Sequence, residues 1–198
     1  CPYEAAKARL VLREMADQLS LELVEKRLVT DQLVLTVGYD IENLTRPEIR
    51  KVYKGPVTTD RYGRRVPKHA HGTWNLPRAT SSSSELLEAM AALYDKIVNP
   101  ALLIRRMSLS ACHVVNEKMA KEREQKETFE QLDLFTDYAK KEAKEKEEQK
   151  KRERERRMQE ALLTIKKKYG KNAVLRGMNF EEGATAKERN GQIGGHQA

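Results

Sequence analysis

Apolar and polar positions recur with two different periods over residues 1–116 of the chain. Between residues 3 and 27 the apolar side chains return every three or four positions, which predicts an amphipathic helix. A second amphipathic helix is predicted to begin at Ser82, which has capping-box spacing to Glu85, and to end before Pro100. One-by-one alternation predicts three half-buried strands, around residues 32–40, 69–77 and 102–115.

The predicted order is helix, strand, strand, helix, strand. It indicates an α+β fold, a two-layer sandwich of an antiparallel or mixed sheet with two helices on one face. The helix at the start has no strand before it, although such a strand would complete a split β-α-β motif. The sequence also begins Cys-Pro-Tyr rather than with methionine. We therefore expect the first strand to be missing because the chain is a piece of a longer protein.

Composition changes after residue 116, and this predicts three further segments. Residues 117–136 are predicted to be a charged linker with a short apolar motif, and residues 137–169 an extended charged helix. Every residue from Lys144 to Arg157 except Gln149 is charged, so no apolar seam favours a coiled coil. Residues 170–198 contain six of the ten glycines and are predicted to be a flexible tail.

Charge indicates the class of partner. The net charge is +8 and the pI is about 9.4, which favours an anionic partner such as nucleic acid or an anionic membrane surface. No apolar run approaches the roughly 20 residues of a membrane span, and no signal peptide opens the chain, so we expect no membrane partner. The two cysteines, Cys1 and Cys112, form no disulfide framework, which favours a reducing, cytoplasmic setting.

The sheet face that the helices leave open is the predicted binding site of the domain. Hydroxyls, an amide and an arginine on this face suit phosphate and sugar contacts, although an ordinary solvated face has a similar composition. Nine lysines and arginines between Leu44 and Arg78, against two acidic residues, favour the nucleic-acid interpretation. The predicted outward residues are Thr36, Gly38, His71, Thr73, Asn75, Arg106, Ser108 and Ser110, and the basic residues Lys68 and Arg78 are added as DNA contacts.

No catalytic or metal site is predicted in this chain. His69 and His71, and the adjacent Cys112 and His113, lack zinc-finger spacing. The sequence shows no Gly-rich phosphate loop, no nucleophile with a base, and no paired carboxylates for two metal ions. We therefore expect no cofactor to bind here.

A five-residue apolar motif stands alone in polar sequence. It consists of Gln131, Leu132, Asp133, Leu134 and Phe135. Such a patch either folds back on its own domain or fills a groove on another protein. The pattern Gln-Leu-x-Leu-Phe resembles the bacterial sliding-clamp-binding motif, in which the glutamine amide anchors one end and the Leu-Phe pair enters a hydrophobic pocket.

Several longer stretches carry a wider resemblance, and they are Leu28–Gln32, Gly38–Asp40, Val57–Asp60, Tyr62–Arg64, Val66–Thr73, Arg105–Arg106, Gln131–Tyr138, Gly177–Asn179 and Gly191–His196. Together they make the chain similar to the C-terminal part of a bacterial Y-family translesion DNA polymerase of the UmuC/UvrX type. The resemblance implies a little-finger domain, whose four-stranded sheet is backed by two helices and places its open face in the DNA major groove. The catalytic domains, with their Mg²⁺-binding carboxylates, would precede residue 1.

The resemblance also implies that the twin arginine Arg105–Arg106 grips template phosphates. Alternation along the strand independently points Arg106 outward, whereas Arg105 would face the core unless the strand bulges or starts later. The connection over residues 41–68 is longer than in simpler family members, and its basic residues have no counterpart to which a role can be assigned.

Three functions remain open at this point. The first is the DNA-gripping and clamp-tethering part of a translesion polymerase in DNA repair, with primer-template DNA and the beta-subunit sliding clamp as partners near the nucleoid. The second is a stand-alone adaptor that bridges DNA and the clamp without polymerase chemistry. The third is an RNA-binding module with a charged helical arm. Acidic palm motifs encoded upstream of Cys1 would favour the first over the second.

Overall fold

The computed structural model describes the backbone of residues 2–127, 138–193 and 196–197, and the side chains of residues 2–124 and 146–192. The elements of the domain are α1 (Ala5–Glu25), β1 (Leu28–Tyr39), α2 (Glu42–Thr45), α3 (Pro47–Val52), β2 (Val57–Thr59), β3 (Arg65–Pro67), β4 (Ala70–Thr80), α4 (Ser83–Ile97), β5 (Ile104–Cys112) and β6 (Val115–Asn116). The elements that follow are α5 (Glu117–Glu127), α6 (Tyr138–Tyr169), a 3₁₀ turn (Gly177–Phe180), α7 (Ala186–Arg189), β7 (Gln192–Ile193) and β8 (His196–Gln197).

One antiparallel sheet organises the domain. Strand β1 lies in the centre, with β4 on one side and β5 on the other, and the short β6 continues beside the first residues of β1. Tyr3 and Ile104 exchange two backbone hydrogen bonds of 2.8 Å each, which adds a single bridge to the sheet at β5. The α+β sandwich predicted from the sequence is confirmed, although β1 begins four residues earlier than predicted.

The core lies between the sheet and the two long helices. Leu33, Leu35 and Val37 on β1 are fully buried, and α1 and α4 cover them with apolar faces that include Leu12 and Met90. This burial follows from the alternation in the strand and the period of about 3.6 residues in each helix. The opposite face of the sheet is not covered by α1 or α4, and this is the open face.

Two local features hold α4 in place. Its N-terminus has the predicted cap, because the Ser82 hydroxyl accepts a hydrogen bond from the backbone N–H of Glu85. Farther along, Gly72 on β4 lets the helix approach the sheet closely. A Cβ atom at Gly72 would lie 2.9 Å from Leu93 Cδ1 and 3.0 Å from Ile97 Cγ2, which is closer than such atoms can pack.

The connection after β1 is more structured than the turns that the sequence predicts. It contains α2, α3 and a hairpin of β2 and β3. Buried Asn43 fixes its start, since the side-chain amide donates to the carbonyls of Asp40 (2.9 Å) and Leu103 (2.8 Å) and accepts from the N–H of Leu103 (2.7 Å). The hairpin was missed because each of its strands has only three residues, too few to show a period.

Helix α6 docks on the domain through polar side chains. Gln159 is only 2% exposed and donates hydrogen bonds to Ser20 Oγ (2.6 Å) and to the carbonyl of Ser81 (3.1 Å). One turn earlier, the carboxylate of Glu155 accepts from the backbone N–H of Ser84 (2.8 Å) at the N-terminus of α4, where an anion is favoured. The sequence predicts an extended charged helix but not its docking, because the docking uses hydrogen bonds and no periodic apolar pattern.

The residues after α6 also contact the domain, whereas the sequence predicts a flexible tail. Glu14 on α1 is only 2% exposed, and its carboxylate accepts hydrogen bonds from Asn179 Nδ2 (2.9 Å) and from the backbone N–H of Thr185 (2.9 Å). Arg189 Nη2 lies 3.4 Å from the same carboxylate. A buried carboxylate needs such donors, so the contacts explain why a charged residue can be buried on α1.

Among the helices in the described ranges, none combines the length and the apolar composition that a membrane-spanning helix requires.

Candidate nucleic-acid interface

The strand register brings the predicted open-face residues together in rows across the sheet. Thr36 on the central strand lies between His71 on β4 and Ser108 on β5. The row next to it has Thr73 and Ser110 on either side of Val34, and Gly38 lies opposite Arg106. The sequence therefore placed all eight of its outward residues correctly, and their contact with DNA stays a prediction.

Hydrogen bonds between neighbouring strands hold three of these polar side chains in position. Thr36 Oγ1 lies 3.0 Å from His71 Nδ1, and Gln32 Nε2 donates to Asn75 Oδ1 at 2.9 Å. Gln32 and Val34 belong to this face although the predicted site omitted them. The alternation that selected Thr36 and Gly38 also selects these two residues, so the signal was present.

The open face has no negative charge of its own. None of the side chains in the rows from Gln32 to Gly38, nor their partners on β4 and β5, is a carboxylate. The hydroxyls of Thr73, Ser108 and Ser110 are exposed and can donate to phosphate oxygens. The surface therefore suits an anionic ligand that lies flat on the sheet.

A β-bulge makes both residues of the twin arginine available. Gly38 pairs with Arg106, but the next residue, Tyr39, pairs with Ile104, so Arg105 is an extra residue in β5. Both side chains are exposed, and Arg105 Nε lies 3.8 Å from Asp40 Oδ2. Strict alternation along β5 would turn the Arg105 side chain toward the core, and the bulge explains why this side chain is exposed instead.

Gly38 provides space for one of these arginines. A Cβ atom at this position would lie 3.0 Å from Arg106 Cγ and 3.2 Å from Arg106 Nε. The side chain of Arg106 thus lies across the glycine, and its guanidinium stays on the open face.

The last two predicted DNA contacts differ in position. Lys68 is exposed just before β4, where its backbone N–H donates to the carbonyl of Pro56 at 2.8 Å. Arg78 instead forms an ion pair with Glu85 at the start of α4, and its side chain is only 26% exposed. Arg78 is therefore held away from the rows of the open face.

Polymerase chemistry requires paired carboxylates that hold two metal ions. The part of the chain that the structure describes contains no group of three or more histidine, cysteine, aspartate and glutamate residues that could hold a metal ion. The described residues therefore do not fit the two Mg²⁺ ions of a polymerase active site.

The predicted clamp motif, Gln131–Phe135, lies outside the described residues, between α5 and α6. The structure describes a contact between the helices that precede and follow the motif. Arg156 Nη2 of α6 lies 3.1 Å from Glu117 Oε2 at the start of α5, and both helices contact the domain. The chain thus returns to the domain after the motif.

The chain matches a known protein family. The model of the C-terminal domain of the impB/mucB/samB family matches residues 3–134, which include the whole sheet, α1, α4 and the first four residues of the clamp motif. A search among curated proteins finds no match to the chain.

Proposed function

Because the chain belongs to the impB/mucB/samB family of UmuC-type translesion polymerases, we propose that it is the part of such a polymerase that binds DNA and tethers the enzyme to the sliding clamp. Residues 3–134 supply the family's C-terminal domain. The proposal assigns DNA binding to the open sheet face and clamp binding to Gln131–Phe135. Polymerase chemistry, with its Mg²⁺ ions, is assigned to other domains of the whole protein.

The observation that carries the DNA-binding role is an exposed, carboxylate-free sheet face with two exposed arginines at one end. Hydroxyl and guanidinium donors on a rigid sheet contact phosphate and sugar oxygens, which are the same in every sequence. Binding of this kind positions a duplex without reading its bases, and its affinity comes mainly from counterion release. A polymerase held in this way accepts a template whose bases are damaged.

The tethering role follows from the place of the motif in the chain. A clamp that encircles DNA keeps any protein bound to it close to the primer end, which replaces a slow bimolecular encounter with an intramolecular one. An intramolecular encounter through a short linker corresponds to an effective concentration on the order of millimolar. A weakly binding enzyme then stays on its template long enough to pass a lesion.

The DNA-binding role is tested by replacing Arg105 and Arg106 with glutamine. The affinity for primer-template DNA is expected to fall about tenfold or more, since a hydrogen bond to a charged group contributes about 1.5 kcal/mol or more. The slope of log K against log salt concentration is expected to become shallower by about 1.8, or about 0.9 for each lost phosphate contact. Fluorescence anisotropy of a labelled duplex over a salt series measures both quantities.

A matched control removes the same charge from the helix side of the domain. Lys96 and Arg154 are exposed on α4 and α6, far from the open face. The variant Lys96→Gln with Arg154→Gln is expected to keep the slope of the unmodified protein. A slope that is equally shallow in both variants, or unchanged in both, argues against the open face as the DNA site.

A further inference from the structure

The β2–β3 hairpin presents a rigid, basic tip. Asp60 fixes the turn, because its Oδ1 accepts hydrogen bonds from the backbone N–H groups of Tyr62 (2.9 Å) and Arg64 (3.0 Å). Gly63 takes the positive φ of +77° that the turn needs. The tip is therefore held in one shape before any ligand arrives, which lowers the entropy cost of binding.

Two of the three arginines at this tip are not neutralised. Arg64 Nε donates to Asp60 Oδ2 at 2.8 Å, and this hydrogen bond holds the pKa of the Asp60 carboxyl below its usual range. Over the part of the chain that the structure describes, no carboxylate pairs with Arg61 or Arg65. Their exposed guanidinium groups remain available for an anion.

An aromatic ring orders the arginines further. The guanidinium carbons of Arg61 and Arg64 lie 4.7 Å and 5.1 Å from the centre of the Tyr62 ring, within the range of a cation–π contact. Tyr62 itself is 65% exposed. The Arg61 side chain is thus held by the ring and not by an acidic partner, so its charge is oriented without being cancelled.

The tip lies at the same end of the sheet as the twin arginine. The hairpin leads directly into β4, whose first residue, Ala70, pairs with Val37 near the end of β1. The twin arginine lies at that same end, since Arg106 pairs with the next residue of β1, Gly38. The basic surface therefore continues from the open face to the hairpin.

We propose that the β2–β3 hairpin is a second phosphate-binding site, in which Arg61 and Arg65 contact the nucleic-acid backbone beyond the segment held by the open face. The inference rests on the proposed function, because the open face must first place a nucleic acid beside the hairpin. Guanidinium groups suit phosphates, which they bind through two parallel hydrogen bonds. An acidic protein surface would also attract these charges, but continuity with the open face favours the nucleic-acid backbone.

The test replaces Arg61 and Arg65 with glutamine and measures binding to three labelled probes. The probes are a blunt duplex, a single strand, and a primer-template with a single-stranded overhang. A duplex contact is expected to make the salt slope shallower by about 1.8, and a single-strand contact by about 1.4, for two lost phosphates. The probe on which the slope changes identifies whether duplex or overhang reaches the hairpin.

Two further variants make the outcome decisive. Arg61→Lys with Arg65→Lys keeps both charges and is expected to preserve the slope of the unmodified protein, which a misfolded hairpin would not do. The Arg105→Gln/Arg106→Gln variant reports on the open face. The Arg61→Gln/Arg65→Gln variant could keep the salt slope of the unmodified protein on all three probes while the Arg105→Gln/Arg106→Gln variant shows a shallower slope. That result would overturn the hairpin site and leave the open face as the DNA site. Failure of the unmodified protein to bind any probe would overturn the proposed function as well.

Discussion

A variant carrying Leu134→Ala and Phe135→Ala is expected to lose measurable binding to the sliding clamp while it keeps its affinity for short duplex DNA. An aliphatic and an aromatic side chain that fill one hydrophobic pocket usually carry most of the binding energy of a peptide motif. Truncating two such side chains at about 2 kcal/mol each lowers affinity about a thousandfold. Surface plasmon resonance with immobilised clamp measures the loss.

The neighbouring residues provide the matched control for this variant. Thr136→Ala with Asp137→Ala changes the two positions directly after the motif and is expected to bind the clamp as the unmodified protein does. Unchanged DNA affinity in both variants shows that the domain remains folded. Equal clamp affinity in the Leu134→Ala/Phe135→Ala variant would contradict the tethering role.

The largest loss of stability is expected from Glu14→Ala. The substitution leaves the donors of Asn179, Thr185 and Arg189 without their shared acceptor. Removing one partner from such a buried polar cluster costs about 3 kcal/mol. Urea denaturation followed by circular dichroism measures the free energy of unfolding, and hydrogen exchange of residues 177–190 shows whether the contact with α1 is lost.

The control for Glu14 lies on the same helix. Glu22 is exposed and accepts one hydrogen bond from the nearby Gln18 side chain, so Glu22→Ala is expected to change stability by less than about 0.5 kcal/mol. Equal losses in the two variants would mean that the contacts of Glu14 with the C-terminal residues do not stabilise the fold. Faster exchange confined to residues 177–190 in Glu14→Ala supports the docking.

The sheet and its two covering helices could be predicted because their burial is periodic. Leu33, Leu35 and Val37 repeat every second residue, and the same pattern selects Thr36 and Ser108 for the opposite face. The bulge at Arg105 could not be fixed in this way, because two successive arginines fit either a bulge or a later start of the strand. Only the family resemblance indicated that both arginines matter.

The contacts of the C-terminal residues could not be predicted for a different reason. Glu14 and Asn179 are 165 positions apart, and each is an ordinary polar residue in its own segment. Gln159 is likewise one uncharged residue in a highly charged helix, and nothing nearby marks it as buried. Hydrogen bonds between distant segments depend on the folded shape, whereas periodic patterns report only on local structure. The clamp motif lies outside the described residues and stays a prediction.

Site-specific photocrosslinking tests the DNA-binding open face most directly. A photoreactive benzoylphenylalanine is introduced in place of Thr73, which is exposed on the open face, and separately in place of Glu88, which is exposed on α4 behind the sheet. With labelled primer-template DNA, the protein modified at Thr73 is expected to crosslink and the protein modified at Glu88 is not. Equal yields from the two positions would contradict DNA binding by the open face. Crosslinking from position 88 without crosslinking from position 73 would contradict it as well.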